Sequence, residues 1–117
     1  MFLHFKGADA ASHDGKAWAK VRMIERIDSA IGYLLEMIDI DDTYIAITCD
    51  HATLTEETRD HSGDITPLLI SGGNVVADDV AEFNERACMK GGLGKVTGQQ
   101  LMTLLMNYLN RVEKFGE

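Results

Sequence analysis

The stretch Tyr44-Ile45-Ala46-Ile47-Thr48-Cys49-Asp50-His51 decides how this chain folds. Its first five residues are apolar or β-branched on both faces, the pattern of a central strand in a parallel sheet. Upstream, Ala17, Val21, Ile24, Ile27, Ile31, Leu34 and Ile38 recur at three- and four-residue steps, with Lys20, Arg22, Glu25, Arg26 and Glu36 between them. That spacing predicts an amphipathic helix over 16–38, about six turns long, ended by Asp39-Ile40-Asp41-Asp42. Before it, the short apolar run Phe2-Leu3-His4-Phe5 reads as a first strand.

Downstream, a polar loop over 50–64 leads into Thr66-Pro67-Leu68-Leu69-Ile70-Ser71, a third strand. Pro67 belongs at its start or on an edge, because proline has no N–H to give to a ladder. A short helix near 78–87 and the glycine-rich Lys90-Gly91-Gly92-Leu93-Gly94-Lys95 follow. Thr97 and Gln100 have the spacing of a capping box, opening a last helix that buries Leu101, Leu104, Leu105, Tyr108 and Val112. With no repeat, linker or low-complexity segment, residues 1–117 read as a single domain. Its alternating strands and helices predict an α/β fold, three layers with a short, mostly parallel sheet flanked by helices and right-handed crossovers.

Composition narrows the functions. A chain of 117 residues with 45% apolar content can bury a core. The net charge of −8 argues against nucleic acid or an anionic membrane as partner, and it repels a phosphorylated substrate unless bound cations reverse the local field. Cys49 and Cys88 form no disulfide framework and suggest a reducing, cytoplasmic compartment. The start, Met1-Phe2-Leu3-His4-Phe5, has neither a basic region nor a long apolar stretch, so no secretory signal or membrane span is expected.

Three of the four histidines fall in aspartate-rich segments expected to be loops: Asp9-Ala10-Ala11-Ser12-His13, Cys49-Asp50-His51 and Asp60-His61-Ser62-Gly63-Asp64. Carboxylate oxygen with imidazole nitrogen suits divalent ions such as Zn²⁺ or Mn²⁺. Each segment alone has a plain reading as a turn cap or a solvated stretch. Together they follow successive strands, and in open parallel sheets ligands gather beyond the carboxyl ends of strands. Asp9, His13, Asp50, His51 and His61 are therefore the candidate ligands, enough for about one and a half sites. His4, inside a predicted strand, reads as a satisfied core or edge histidine, and Lys6 as a surface lysine.

Other chemistries fit less well. Gly94-Lys95 ends like a phosphate-binding P-loop, but Val96 replaces the required Ser or Thr and Met89 the first glycine. Cys49 reads as a buried cysteine at a strand end. Ser12 and Ser62 neighbour histidines without forming a Ser-His-Asp order.

These residues carry a resemblance. His4-Phe5-Lys6-Gly7-Ala8-Asp9 with Ser12-His13-Asp14-Gly15, Ile47-Thr48-Cys49-Asp50-His51 and Asp60-His61-Ser62-Gly63-Asp64 resemble the C-terminal part of the cofactor-independent phosphoglycerate mutases. The archaeal-type branch, within the alkaline phosphatase superfamily, is singled out by Phe83-Asn84-Glu85-Arg86-Ala87-Cys88, by Lys90-Gly91-Gly92-Leu93-Gly94 and by Gly98-Gln99-Gln100-Leu101-Met102. The resemblance implies an alkaline-phosphatase-like partial domain, with Asp9, His13 and His61 on one divalent ion and Asp50 and His51 on a second. Mn, Zn, Co and Mg all suit such ligands.

In the family, a serine takes the phosphoryl group from one hydroxyl of phosphoglycerate and returns it to the neighbouring one, a step of glycolysis and gluconeogenesis. The resemblance places that serine, and the aspartate completing the second site, upstream of these residues. The 117 residues alone are then expected to be inactive, with one ion in the three-ligand site. They are also expected to self-associate or to pair with the missing first half. A stand-alone non-catalytic metal-binding module and a piece of a related phosphohydrolase remain alternatives, since metal ligands alone do not separate mutase from phosphatase.

Overall fold

The long amphipathic helix forms where its periodicity places it. In the computed structural model, which describes residues 1–55 and 58–112, helix α2 spans Ala17–Met37, within one residue of the sequence reading at each end. Before it comes α1, Gly7–His13, and after it β1 (Ile45–Thr48), β2 (Ala52–Thr53), β3 (His61–Ser62), β4 (Leu68–Ser71), α3 (Glu85–Cys88) and α4 (Gly98–Tyr108). The protein is α/β, as expected. It divides into two units, one of 1–38 with 49–66 and the other of 39–48 with 67 onward.

In the first unit α1 packs on α2. The contact is close at Gly7, where a Cβ would lie 2.6 Å from the Met23 methyl. Ser12, wholly buried, turns its hydroxyl back to the Ala8 carbonyl at 3.0 Å, which satisfies the group inside the contact. Helix α2 has no fully buried residue: Ile27, Ile31 and Leu34 are half-buried, while Trp18, Val21, Ile24 and Tyr33 are exposed. The predicted strand over 2–5 does not form. Phe2, Leu3 and Phe5 are exposed, and Lys6 precedes the first residue of α1 without a capping side-chain hydrogen bond. A short apolar run makes a strand only beside a partner, and the following Ala8-Asp9-Ala10-Ala11 favours helix.

The second unit corrects the predicted parallel sheet. Strands β1 and β4 pair antiparallel, Ile45 opposite Ser71 and Thr48 opposite Leu68. A parallel pair needs a crossover that carries the chain back to the strand's starting end, usually a helix. Here the excursion between β1 and β4 contains instead its own short antiparallel pair, β2 with β3, and returns the chain to the end it left. Residues 56–57 of that predicted loop lie outside the described residues. Pro67 sits just ahead of β4, where its carbonyl accepts the Thr48 hydroxyl at 2.9 Å. Ile70, opposite Ala46, is the buried hydrophobic residue of this pair.

The chain leaves β4 through Gly72, whose φ of 102° lies in the left-handed region, and the Gly73 N–H then donates to the Ile40 carbonyl at 2.9 Å. Tyr44 stacks on Tyr108 and donates its hydroxyl to Asn74 at 2.6 Å. The helix expected over 78–87 is shorter, Glu85–Cys88, started by the Asn84 side chain accepting from the Ala87 N–H. Asp78 does not cap it. Its two oxygens accept the Val80 N–H at 3.0 Å and the Gly92 N–H at 2.7 Å, clasping the glycine-rich stretch. Helix α4 does begin with the capping box of Thr97 and Gln100, although Leu101, Leu104, Leu105, Tyr108 and Val112 are half-buried rather than buried.

A Cβ at Gly72 would collide with the Thr43 carbonyl oxygen, whereas one at Gly94, also at positive φ, meets open space. Gly72→Ala is therefore expected to cost roughly 3 kcal/mol and Gly94→Ala about 1 kcal/mol, read from chemical denaturation midpoints; equal losses would contradict this packing. The two backbone N–H groups also hold the Asp78 carboxyl below its ordinary value, against a smaller opposing effect of desolvation. Its contribution to stability is thus present above the unfolded aspartate value near 3.8 and lost as pH falls through the lower folded one. The Gly92 amide resonance should accordingly titrate with its inflection below 3.8, and an inflection above it would disprove the clasp.

Candidate metal centre

The sequence expects Asp9 and His13 in a loop, but they lie on α1, one turn apart on the same face. The segment is too short for periodicity to reveal it as a helix. The i, i+4 spacing brings His13 Nε2 to 3.3 Å from Asp9 Oδ1. From β3, His61 brings its Nε2 to 3.7 Å from the same oxygen. One donor atom from each of Asp9, His13 and His61 lies within 4.8 Å of the others, a spacing that fits a single cation. All three belong to the first unit.

The His13 ring shows which nitrogen faces the cluster. Its Nδ1 is 2.6 Å from the Arg59 carbonyl, which only accepts, so Nδ1 carries a proton and Nε2 is the atom that faces Asp9. A lone pair and a carboxylate oxygen facing each other at that distance repel unless a proton or a metal ion lies between them. Backbone-anchored Nδ1–H with a free Nε2 is the usual arrangement of a metal-ligating imidazole, so these residues fit a divalent ion. Arg59 itself has φ 57°, a left-handed conformation costing about 1 kcal/mol for a residue with a side chain.

Asp50 and His51 join the same region. His51 stacks on His61 with ring centroids 3.6 Å apart, and its Nε2 lies 3.4 Å from Asp50 Oδ2. In both Asp-His pairs the aspartate accepts the N–H of the histidine that follows, at 3.1 Å for His51 and 2.8 Å for His61. In the first pair the carboxylate also approaches the imidazole, whereas Asp60 meets only the backbone of His61. The structure thus brings all five candidate residues into one cluster.

Two participants have no signature in the sequence. One is the Arg59 carbonyl, a backbone group. The other is Thr53, whose hydroxyl lies 3.0 Å from Asp9 Oδ1 and 3.1 Å from His51 Nδ1. Partial desolvation by itself raises the Asp9 carboxyl. The Thr53 hydrogen bond and the fields of His13, His51 and His61 outweigh it and hold the group below its ordinary value.

The other sequence candidates fall outside the cluster. His4 is exposed and stacked on Phe2, not a core histidine. Cys49 is exposed, not buried at a strand end, because β1 stops one residue before it. Among the described residues no helix is long and apolar enough to cross a membrane.

Helices, short strands and an Asp-His cluster of a geometry that could hold a cation define an α/β protein with a candidate metal centre. The chain belongs to the metalloenzyme superfamily, whose family model matches residues 1–108. A Pyrococcus horikoshii 2,3-bisphosphoglycerate-independent phosphoglycerate mutase is 51% identical over 116 residues, covering 99% of this chain and 28% of its own length. The enzyme of the same name from Pyrobaculum islandicum is 45% identical over 118 residues, covering 100% of this chain and 28% of its own length. The solved structure of the PH0037 protein from Pyrococcus horikoshii superposes with a TM-score of 0.91 at 50% identity, covering 99% of this chain and 35% of that one. The chain spans 28% of the length of these two curated relatives.

Proposed function

We propose that these residues are the C-terminal metal-binding segment of a cofactor-independent phosphoglycerate mutase, within an alkaline-phosphatase-like three-layer domain. The observation that carries the reading is the convergence of Asp9, His13 and His61, with His13 oriented by a backbone carbonyl. In it Asp9, His13 and His61 hold one divalent ion, and Asp50 and His51 contribute to a second that an aspartate from outside the 117 residues completes. Mn, Zn, Co and Mg are all compatible with this oxygen and nitrogen set. Such ions lower the pKa of a serine nucleophile, neutralise the phosphate and stabilise charge on the attacking and leaving oxygens.

The chain's own residues set the stage for that chemistry. Asp9 compensates cationic charge, the Arg59 carbonyl keeps the His13 lone pair directed inward, and Asp60 steadies His61 through its backbone N–H. Without cations, a chain of net charge −8 repels phosphoglycerate. The serine that carries the phosphoryl group between the two hydroxyls comes from the remainder of the enzyme, in the cytoplasm. The segment 86–102 favours a mutase over a related phosphohydrolase. A non-catalytic metal-binding module is the second reading, favoured by the presence of the whole three-ligand set in one unit.

Elemental analysis of the purified chain should find about one tightly bound divalent ion, lost in His13→Ala with the fold retained by circular dichroism. A coupled assay on the metal-loaded chain should detect no conversion of 3- to 2-phosphoglycerate, and supplying the upstream part of a relative should restore it. A folded chain without metal, or turnover by the chain alone, would contradict the proposal.

The exposed apolar side of α2, with Trp18, Val21, Ile24 and Tyr33, is the surface proposed for self-association or for pairing with the upstream half. Sedimentation of the chain alone should show dimers or larger species, which a heterodimer with an added upstream half replaces. A monodisperse monomer that ignores the added half would count against it.

A further inference from the structure

Thr53 bridges the two ligand sets through its hydroxyl, which touches Asp9 of one and His51 of the other. Its neighbours fix its backbone. Lys20 Nζ donates to the Thr53 carbonyl at 2.9 Å, Thr53 is paired opposite His61 across β2 and β3, and the Leu54 N–H reaches the Asp60 carbonyl at 3.0 Å. The side chain is thus held between Asp9 and His51.

A threonine hydroxyl has one proton to give and two lone pairs to receive with. The Asp9 carboxylate only accepts, so the proton goes to Oδ1 at 3.0 Å. The contact with His51 Nδ1 at 3.1 Å then requires the ring nitrogen to donate. His51 Nδ1 keeps its hydrogen, and Nε2 is left facing Asp50 Oδ2 across 3.4 Å. In the neutral ring that is a second gap between two acceptors, like the one between His13 and Asp9.

We propose that Thr53 is a positioning residue that locks His51 in the Nδ1–H tautomer while orienting Asp9, so that one hydroxyl aligns a ligand of each metal set. The proposal rests on the reading of Asp9 and His51 as ligands, but its central claim concerns a tautomer that exists without any metal. With the hydroxyl removed, His51 Nδ1–H loses the acceptor it has among the described residues. The ring then takes the Nε2–H form and donates to Asp50, closing the site. Asp9 loses its neutral donor at the same time.

The deciding experiment is the ring ¹⁵N spectrum of the metal-free full chain, with Thr53→Val and Thr53→Ser beside the wild type. Wild type and Thr53→Ser should show His51 as the Nδ1–H tautomer, and Thr53→Val should show Nε2–H. Metal titration should then find affinity reduced 10- to 100-fold in Thr53→Val and restored in Thr53→Ser. His51 as Nε2–H in the wild type would overturn the proposal without need of any variant. So would a Thr53→Val chain that retains the Nδ1–H form, or one that changes tautomer and binds metal as before. A wild type that shows the predicted tautomers and takes up no metal would sink the ligand reading while leaving the tautomer lock standing.

Discussion

Asp9 Oδ1 receives the Thr53 hydroxyl at 3.0 Å while His13 and His61 turn Nε2 toward it at 3.3 and 3.7 Å, so a single oxygen gathers groups from α1, β2 and β3. The segments it joins are far apart in sequence and individually weak. Strands β2 and β3 have two residues each and α1 has seven, lengths that do not persist in water by themselves. Their arrangement depends on cross-links by polar groups, chiefly the Asp9–Thr53 bond, the His13–Arg59 bond and the Lys20 ammonium on the Thr53 carbonyl. The price is a concentration of acceptors: in their neutral forms the His13 ring meets Asp9 and the His51 ring meets Asp50 with no proton between them. A cation resolves this conflict better than water does, because its charge meets every acceptor at once.

Hydrophobic burial contributes less than the composition suggests. Among the described residues Ile70 is the buried hydrophobic one, in the β1–β4 pair, and the 21 residues of α2 bury none completely. Apolar periodicity records that a face is made for contact. It does not record that the contact lies within the same 117 residues.

What the sequence revealed follows from which signals are local. Helix α2 was legible because its apolar spacing repeats over many turns, and the start of α4 because Thr97 and Gln100 form a cap within one turn. Strand β1 was legible from its β-branched run and β4 from its apolar one, but their direction was not. Orientation depends on how residues 49–67 return the chain, and nothing in the alternation of Ile45 to Thr48 encodes it. The run 2–5 looked like a strand because apolarity does not reveal a missing partner. At the site, aspartate and histidine identified themselves by chemistry. Thr53 resembled any loop threonine, and the Arg59 carbonyl, being backbone, had no residue type to betray it.

That last contact places an unusual demand on position 59. The imidazole reads a carbonyl, so no particular side chain is needed there, yet the backbone must sit at φ 57° to present it. Glycine and asparagine adopt that conformation readily, β-branched residues resist it, and proline cannot reach it. The position can therefore vary in chemical character across related chains while remaining restricted in shape. A chain keeping every aspartate and histidine of the cluster could still lose its inward-facing His13 through one valine at a residue that never touches the ion.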